Sequence, residues 1–333
     1  VKTSISYKDT GVDITRGNAA KERIKKIVRK TFDGNVLSDI GLFGGLYAVP
    51  KGRYRQPVLV SSTDGVGTKL RIAFMLNRHD TVGQDLVNHC VNDILACGAK
   101  PMFFLDYLGL GKLEDGVVEA LVGGLAKACR ENGCALIGGE TAQMPGFYAD
   151  GEYDMAGTIV GIVERKKLID GSTILKGDVM IGLPSNGLHT NGYSLARKVL
   201  LEKYSLHDIV PELGGSLADE LLRIHKSYLK PVTAVLQKIN VKGISHITGG
   251  GMMENTQRIL PRGCRMKIDW SSWEMPAVFE LIHQLGQVSY DEMIRTFNLG
   301  VGMILIVDKR SVDATLRILK TKKEQGFVLG EIV

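Results

Sequence analysis

Cysteine is scarce, and its spacing carries no redox or metal signature. The five cysteines stand at positions 90, 97, 129, 134 and 264, with no Cys-x-x-Cys pair among them. Zinc ribbons and thioredoxin-type centres therefore have no support. An odd count in so long a chain also argues against a disulfide framework, so a reducing compartment, the cytoplasm, is the expected location. Long apolar runs are missing too. The longest candidates, around 302–307 and 102–105, are strand-length, which leaves no expected membrane span. Val1–Asp9 has no apolar signal-peptide core, and no Asn-x-Ser/Thr acceptor occurs. Aromatic residues are 6%, and the net charge is 42 − 36 = +6 with the basic residues dispersed. A nucleic-acid surface needs a basic stripe interleaved with stacking aromatics, so no nucleic-acid partner is expected.

What remains is globular. At 333 residues the chain has room for two domains, and 44% hydrophobic with 23% charged residues is ordinary for a packed core. Glycine is the exception. Its 40 residues are about 12% of the chain, against a usual ~7%. They have no three-residue period and gather in short loops, which suggests backbone that something approaches closely.

Periodicity supplies the coarse organisation. Lys21–Lys30 reads as a basic amphipathic helix with Ile24, Ile27 and Val28 on one face. Pro57–Thr63 reads as a buried strand running into the turn Asp64-Gly65-Val66-Gly67-Thr68-Lys69, with a helix over 70–76. Over 85–96, Leu86, Val87, Cys90, Val91, Ile94 and Leu95 recur at helical spacing, while Asp85, Asn88, His89, Asn92 and Asp93 share the other face. Strands are expected at 102–110, 134–137, 154–163, 178–183 and 302–307, and helices at 117–131, 193–203, 217–239 and 276–285. A junction falls near 170–176, so the expected division is 1–169 and 170–333.

Three glycine loops follow apolar runs: Asp64–Lys69, Gly138-Gly139-Glu140-Thr141 and Thr248-Gly249-Gly250-Gly251. Such loops let backbone N–H groups meet phosphate oxygens, and a nearby lysine or hydroxyl adds to the cradle. No Gly-x-x-x-x-Gly-Lys-Ser/Thr occurs, so this is no Walker loop, and the third glycine of a dinucleotide fingerprint is missing. Asp64, Asp93 and Glu140, with Asn92, could assemble a hard-cation site, since Mg²⁺ takes one or two carboxylates plus phosphate oxygens. His189 and His246 lie in Gly/Asn/Thr-rich loops, where an imidazole can meet a phosphate or move a proton. His79, His207, His225 and His283 have surface-like contexts, and the spacing of Cys90 beside His89 reads as core.

Taken in order, these motifs resemble the phosphoribosylformylglycinamidine cyclo-ligase (AIR synthetase) family. The resemblance rests on Ser6-Tyr-Lys-Asp9 with Gly11-Val-Asp13, Thr63–Lys69, His79-Asp-Thr81, Cys90-Val-Asn-Asp93 and Phe103–Tyr107. It continues through Gly138–Ala142 with Met144-Pro-Gly146, Asn191–Leu195, His246–Gly251 and Arg295–Asn298 with Gly300–Met303. Three positions depart from the family pattern: Gln143 stands for a usual Glu, Leu299 for Cys and Thr190 for Ser.

The resemblance implies an α+β chain of two domains. The N-terminal sheet would pair across a homodimer to close a β-barrel, and the C-terminal α/β domain would carry a mixed sheet. It implies ATP and Mg²⁺, with formylglycinamidine ribonucleotide as substrate and ring closure to aminoimidazole ribonucleotide as the reaction. Asp64, Asp93 and Glu140 would hold the metal. Gly65, Gly67, Thr68 and Lys69 would line the phosphate path with Asn92. His189, Asn191, His246 and Gly249–Gly251 would face it from the second domain, and the basic helix with the leader near Asp13 would close over the nucleotide. Thiamine-monophosphate kinase and selenophosphate synthetase belong to the same superfamily. The latter wants a reactive cysteine in its leader, and residues 1–40 contain none.

Overall fold

Two sheets organise the chain, and each takes its strands from one half of the sequence. The computed structural model describes residues 10–11, 13–41, 44–114 and 116–333. The Ser6–Asp9 motif therefore lies outside the described residues. The first half contains α1 (Ile14–Val28), β1 (Pro57–Gly65), α2 (Leu70–Leu76), α3 (Val82–Ala96), β2 (Lys100–Leu110), α4 (Val117–Asn132), β3 (Ala135–Gln143) and β4 (Tyr153–Glu164). Its sheet has the order β1-β4-β2-β3. β4 runs antiparallel to both β1 and β2, while β2 and β3 are parallel. A parallel pair needs a crossover, and α4 supplies it.

Helices α3 and α4 pack on each other, α3 against β1, β4 and β2, α4 against β3. Leu86, Cys90 and Ile94 of α3, Leu121 and Leu125 of α4, Phe104 and Leu108 of β2 and Ile159 of β4 are buried in this layer. The contact is close because Gly83 and Gly124 meet at the crossing. A Cβ on Gly83 would fall 2.4 Å from the Leu121 carbonyl oxygen. The helix α1 begins at Ile14, earlier than its basic run suggests, because the Asp13 carboxylate accepts from the Arg16 N–H as an N-cap. It packs on α4 and β3. Two expectations fail in this half. β1, expected to be a buried strand over 57–63, alternates exposed and half-buried residues with none fully buried, because it is an edge strand of its sheet. The strand expected to stop at Ile137 runs on to Gln143, so Gly138, Gly139 and Glu140 are strand residues paired with Leu105, Asp106 and Tyr107.

The second half contains β5 (Val179–Pro184), α5 (Tyr193–Leu201), β6 (Ile209–Val210), β7 (Gly215–Ser216), α6 (Leu217–Leu221), α7 (Leu229–Leu236), β8 (Val241–His246), α8 (Gly251–Gln257), β9 (Met266–Ile268), α9 (Ala277–Gly286), α10 (Tyr290–Thr296), β10 (Val301–Val307), α11 (Val312–Thr321) and β11 (Phe327–Ile332). The main sheet has the order β8-β10-β5-β11-β9. Every pairing in it is antiparallel. The mixed character expected here belongs to the first sheet instead. All seven residues of β10 are buried, which explains its unbroken apolar run.

The expected helix over 217–239 is in fact two, α6 and α7, separated by an irregular segment from Leu222 to Tyr228. Pro231 is one cause, since proline is tolerated only in a helix's first turn and here begins a new one. The second cause lies on α3, whose side chains take over the segment's backbone groups. Asp85 Oδ1 accepts from the His225 N–H at 2.7 Å, and Asn88 donates to the His225 carbonyl at 2.7 Å. Asn92 donates to the Lys226 carbonyl at 2.8 Å and accepts from the Tyr228 N–H at 3.0 Å. Backbone groups that lose a helix must be satisfied elsewhere, and these are. Among the described residues no helix is long and apolar enough to cross a membrane.

Candidate active site

The polar face of α3 is the centre of the site, and it is buried. Asp85, Asn88, His89 and Asn92 are all under a tenth exposed; only Asp93, on the same stripe, is half-buried. The stripe faces the second half of the chain: the 185–192 loop after β5, the 222–228 segment and the end of β8.

Two carboxylate–histidine pairs face each other there. Asp64, at the end of β1, accepts from His89 Nε2 at 2.8 Å and from the Gly65 N–H at 2.7 Å. Asp93 accepts from His246 Nδ1 and from the Ser62 hydroxyl, each at 2.8 Å. Burial pushes both carboxyls up. For Asp64, the His89 and Gly65 hydrogen bonds outweigh it, and for Asp93 the contacts and charges of His246 and His89 do. Both acids therefore stay below the usual carboxylate range. Burial pulls His89 down, but Asp64, Asp93 and Asp85 reverse that and hold it above its ordinary value. For His246 burial wins, and its value falls.

A nitrogen of His89, an oxygen of Asp93 and a nitrogen of His246 lie within 4.8 Å of one another. The closest contacts of both imidazoles with acids are the hydrogen bonds just described, so the cluster is built as paired acids and bases. The oxygens of Asp64 and Asp93 keep room for a further ligand each. Each carboxylate oxygen accepts one protein hydrogen bond and keeps a second lone-pair direction.

Glu140 does not join them. In the sheet register Asp64 pairs with Gly157, Gly157 with Asp106 and Asp106 with Gly139. Glu140 thus lies three strands from Asp64 within the chain, about 14 Å at the usual strand spacing.

Three further residues stand where the sequence reading did not place them. Lys69, expected on the phosphate path, is fully buried. Its Nζ donates to Asp85 Oδ1 at 2.9 Å, the Arg223 carbonyl at 2.6 Å and the His189 carbonyl at 3.3 Å. All three ammonium protons are spoken for, so the lysine ties the halves together. Asn92 is also fully buried and holds the 226–228 backbone, so it is not presented to a nucleotide. His189 is buried behind the site at φ +61°, its ring stacked on His225 at 4.1 Å. The spacing showed polarity at these positions, but not that the second half of the chain would cover it.

Of the three glycine segments, those around Gly67 and Gly250 are turns close in sequence to Asp64 and His246, while Gly138–Thr141 lies in β3. Gly67 has φ +71° and open space around it, and Thr68 is exposed, its hydroxyl 3.1 Å from Ser194 Oγ of α5. Opposite lies Gly249, whose Cβ would come 3.4 Å from Asn191 Oδ1. Asn191 Nδ2 is buried with no hydrogen-bond partner, a donor that a phosphate or ribose oxygen would satisfy. Gly250 and Gly251 are both left-handed, and a Cβ on Gly251 would lie 1.8 Å from the Ile294 carbonyl oxygen. That turn starts α8 only because no side chain is present there.

Two residues escaped the sequence reading. His89 has the carboxylate partner, and His225, read as a surface histidine, is fully buried in the middle of the cluster. For His89 the signal was available: it shares the i, i+4 stripe with Asp85 and Asp93. His225 had none, because its place depends on the broken helix.

Comparison with known proteins places the chain in a family. Residues 45–163 match the family model "AIR synthase related protein, N-terminal domain", and 176–333 match its C-terminal domain. A phosphoribosylformylglycinamidine cyclo-ligase of Geotalea daltonii is 54% identical, over 99% of this chain and 96% of its own. One of Thermoanaerobacter pseudethanolicus is 53% identical, over 99% and 98%. Among solved structures, thiamine-monophosphate kinase from Stenotrophomonas maltophilia superposes with a TM-score of 0.68 at 17% identity, covering 92% of each chain. The hydrogenase maturation protein HypE in complex with ATP gives 0.65 at 16%, covering 94% of this chain and 86% of that one. At those identities the two structures show a shared fold. The family matches and full-length relatives show more: the chain belongs to the AIR synthase family, among the phosphoribosylformylglycinamidine cyclo-ligases.

Proposed function

We propose that the chain is an ATP-dependent cyclo-ligase of purine biosynthesis. It converts formylglycinamidine ribonucleotide to aminoimidazole ribonucleotide, with ADP and phosphate as co-products. The observation that carries this reading is full-length identity above half to cyclo-ligases. The paired acids and glycine loops between the two halves of the chain give it a chemical basis.

The formamide oxygen of the substrate is a poor leaving group. Transfer of the γ-phosphoryl group of ATP to that oxygen turns it into phosphate. The amidine nitrogen then attacks the activated carbon of the same molecule, loses a proton and expels the phosphate with the former formyl oxygen. The protein's share is position and charge. Gly67 and Thr68 offer N–H groups and a hydroxyl to the phosphates from one side, while the Gly65 N–H orients Asp64. Asn191 and Gly249–Gly251 do so from the other. Asp64 and Asp93 would hold Mg²⁺, which when bound offsets phosphate charge. His89 and His246 fix the orientation of those two acids. His246 acts through Asp93, since its Nδ1 is held there and its second nitrogen is turned inward, facing buried His225.

Oligomeric state belongs to this reading. The first sheet is covered by α3 and α4 on one face, while the other face of β1 shows Leu59, Ser61 and Thr63, with Leu59 59% exposed. That face suits a second copy of the sheet and a closed barrel in a homodimer. We set the boundary between the two units at 169/170 and the location in the cytoplasm.

The test is turnover with formylglycinamidine ribonucleotide, ATP and Mg²⁺, following ADP and the imidazole together. One ADP per imidazole is expected. ATP consumption without imidazole would assign the chain to another substrate.

A further inference from the structure

His225 lies between the two carboxylate–histidine pairs, against His246 on one side and Thr190 on the other. Its Nε2 lies 3.1 Å from His246 Nε2, and its Nδ1 lies 3.2 Å from Thr190 Oγ1. Thr190 Oγ1 is in turn 2.8 Å from His89 Nδ1. His246 holds Asp93 and His89 holds Asp64. The result is a row of close polar contacts from Asp64 to Asp93, drawn from both halves of the molecule. Asp64, His89 and Asp93 come from the first half; Thr190, His225 and His246 come from the second.

The geometry also sets proton positions. The Asn92 amide is oriented by two backbone partners, its nitrogen on the Lys226 carbonyl and its oxygen on the Tyr228 N–H. It therefore presents an N–H to His225 Nε2 at 3.2 Å. His225 accepts at Nε2, so its own proton sits on Nδ1 and is donated to Thr190. The Thr190 hydroxyl then donates to His89 Nδ1. That leaves the His89 proton on Nε2, pointing at Asp64. The His225 ring has no freedom to turn, being fully buried and stacked on His189, with its backbone held by Asp85 and Asn88.

We propose that His225 is a positioning residue for the ring-closing reaction: its ring packs against His246 and, through Thr190, it fixes the tautomer with which His89 holds Asp64. This rests on the cyclo-ligase reading for its kinetic consequence and on the hydrogen-bond geometry alone for its spectroscopic one. His225 need not touch substrate.

Two variants test it. His225→Phe keeps a flat ring against His189 and removes the hydrogen bonds with Asn92 and Thr190, and Thr190→Val removes the link to His89 with little change of shape. Both proteins are examined by kinetics and by ¹⁵N spectra of labelled imidazoles. In the parent, His89 should show a protonated Nε2 and an unprotonated Nδ1. Each variant should lose that single-tautomer pattern. The kcat of His225→Phe should fall about 10- to 100-fold, the usual scale for a lost supporting hydrogen bond, with each KM within about threefold. His225→Gln, which restores a hydrogen-bonding side chain, should recover part of the rate. An unchanged His89 pattern in folded Thr190→Val overturns the proposal, even if His225→Phe does not fold. So does an unchanged kcat in folded His225→Phe. Should the protein form no imidazole at all, the cyclo-ligase reading fails while the spectra still decide the role of His225.

Discussion

Replacing Lys69 by Met separates a structural lysine from a phosphate-binding one. Met keeps the length of the side chain and removes its charge. The fully buried Asp85 would then lose its cation, and one of its oxygens already lacks a partner. Breaking one side of a buried ion pair costs about 3–5 kcal/mol. The Arg223 and His189 carbonyls would also lose a donor, at about 1 kcal/mol each. At a urea sensitivity of about 3 kcal/mol per molar, the upper end of the usual range, this is a drop of about 2 M in urea midpoint. Urea unfolding, followed by far-UV circular dichroism, reads it directly. The second variant, Lys69→Met/Asp85→Asn, should recover most of the loss. Asn keeps an oxygen for the His225 N–H and leaves no unpaired charge buried. The reasoning is refuted if Lys69→Met is as stable as the parent yet loses turnover, with no recovery in the double variant. That pattern would put the lysine on the phosphates.

Three further outcomes follow from the site and the sheet. Asp93→Asn should lower kcat by at least tenfold and raise the Mg²⁺ concentration needed for half-maximal rate; full turnover at ordinary Mg²⁺ would remove Asp93 from the cation site. Burial, with Glu140 adding a like charge, raises the Asp106 carboxyl to about 7. The folded state then keeps a proton that the unfolded chain releases near 4, so this contribution to stability is present at low pH and is lost as pH rises through about 7. Asp106→Asn should therefore melt above the parent at pH 8, with an upper bound on the order of 4 kcal/mol, and by much less at pH 4.5; equal differences at both would contradict the assignment. Leu59→Asp should give a protein that sediments as a monomer, whereas an unchanged mass would exclude the β1 face from the dimer contact.

The legible parts of this protein are those fixed by local pattern. The apolar stripe of α3 and the buried run of β10 were readable because burial and periodicity coincide there, whereas β1 read as a buried strand and is a half-exposed edge strand. The acids Asp64 and Asp93 were readable because they end or edge such elements. What was hidden depends on contacts distant in sequence. Asp85, Asn88 and Asn92 read as a polar helix face, and only the opposing 222–228 segment turns that face into an interior. The same segment moves His225 from an apparent surface helix to the centre of the cluster. Lys69 follows two glycines and a threonine in a phosphate-like loop, yet a partner sixteen residues on draws it inside. Glu140 shares its motif type with Asp64, but strand order separates them.

The most direct test of the central claim follows the formyl oxygen. Substrate labelled with ¹⁸O at that position is converted with ATP and Mg²⁺, and the inorganic phosphate is analysed by mass. Phosphoryl activation predicts one ¹⁸O in the phosphate for each imidazole formed. Label released to water, with unlabelled phosphate, would contradict it.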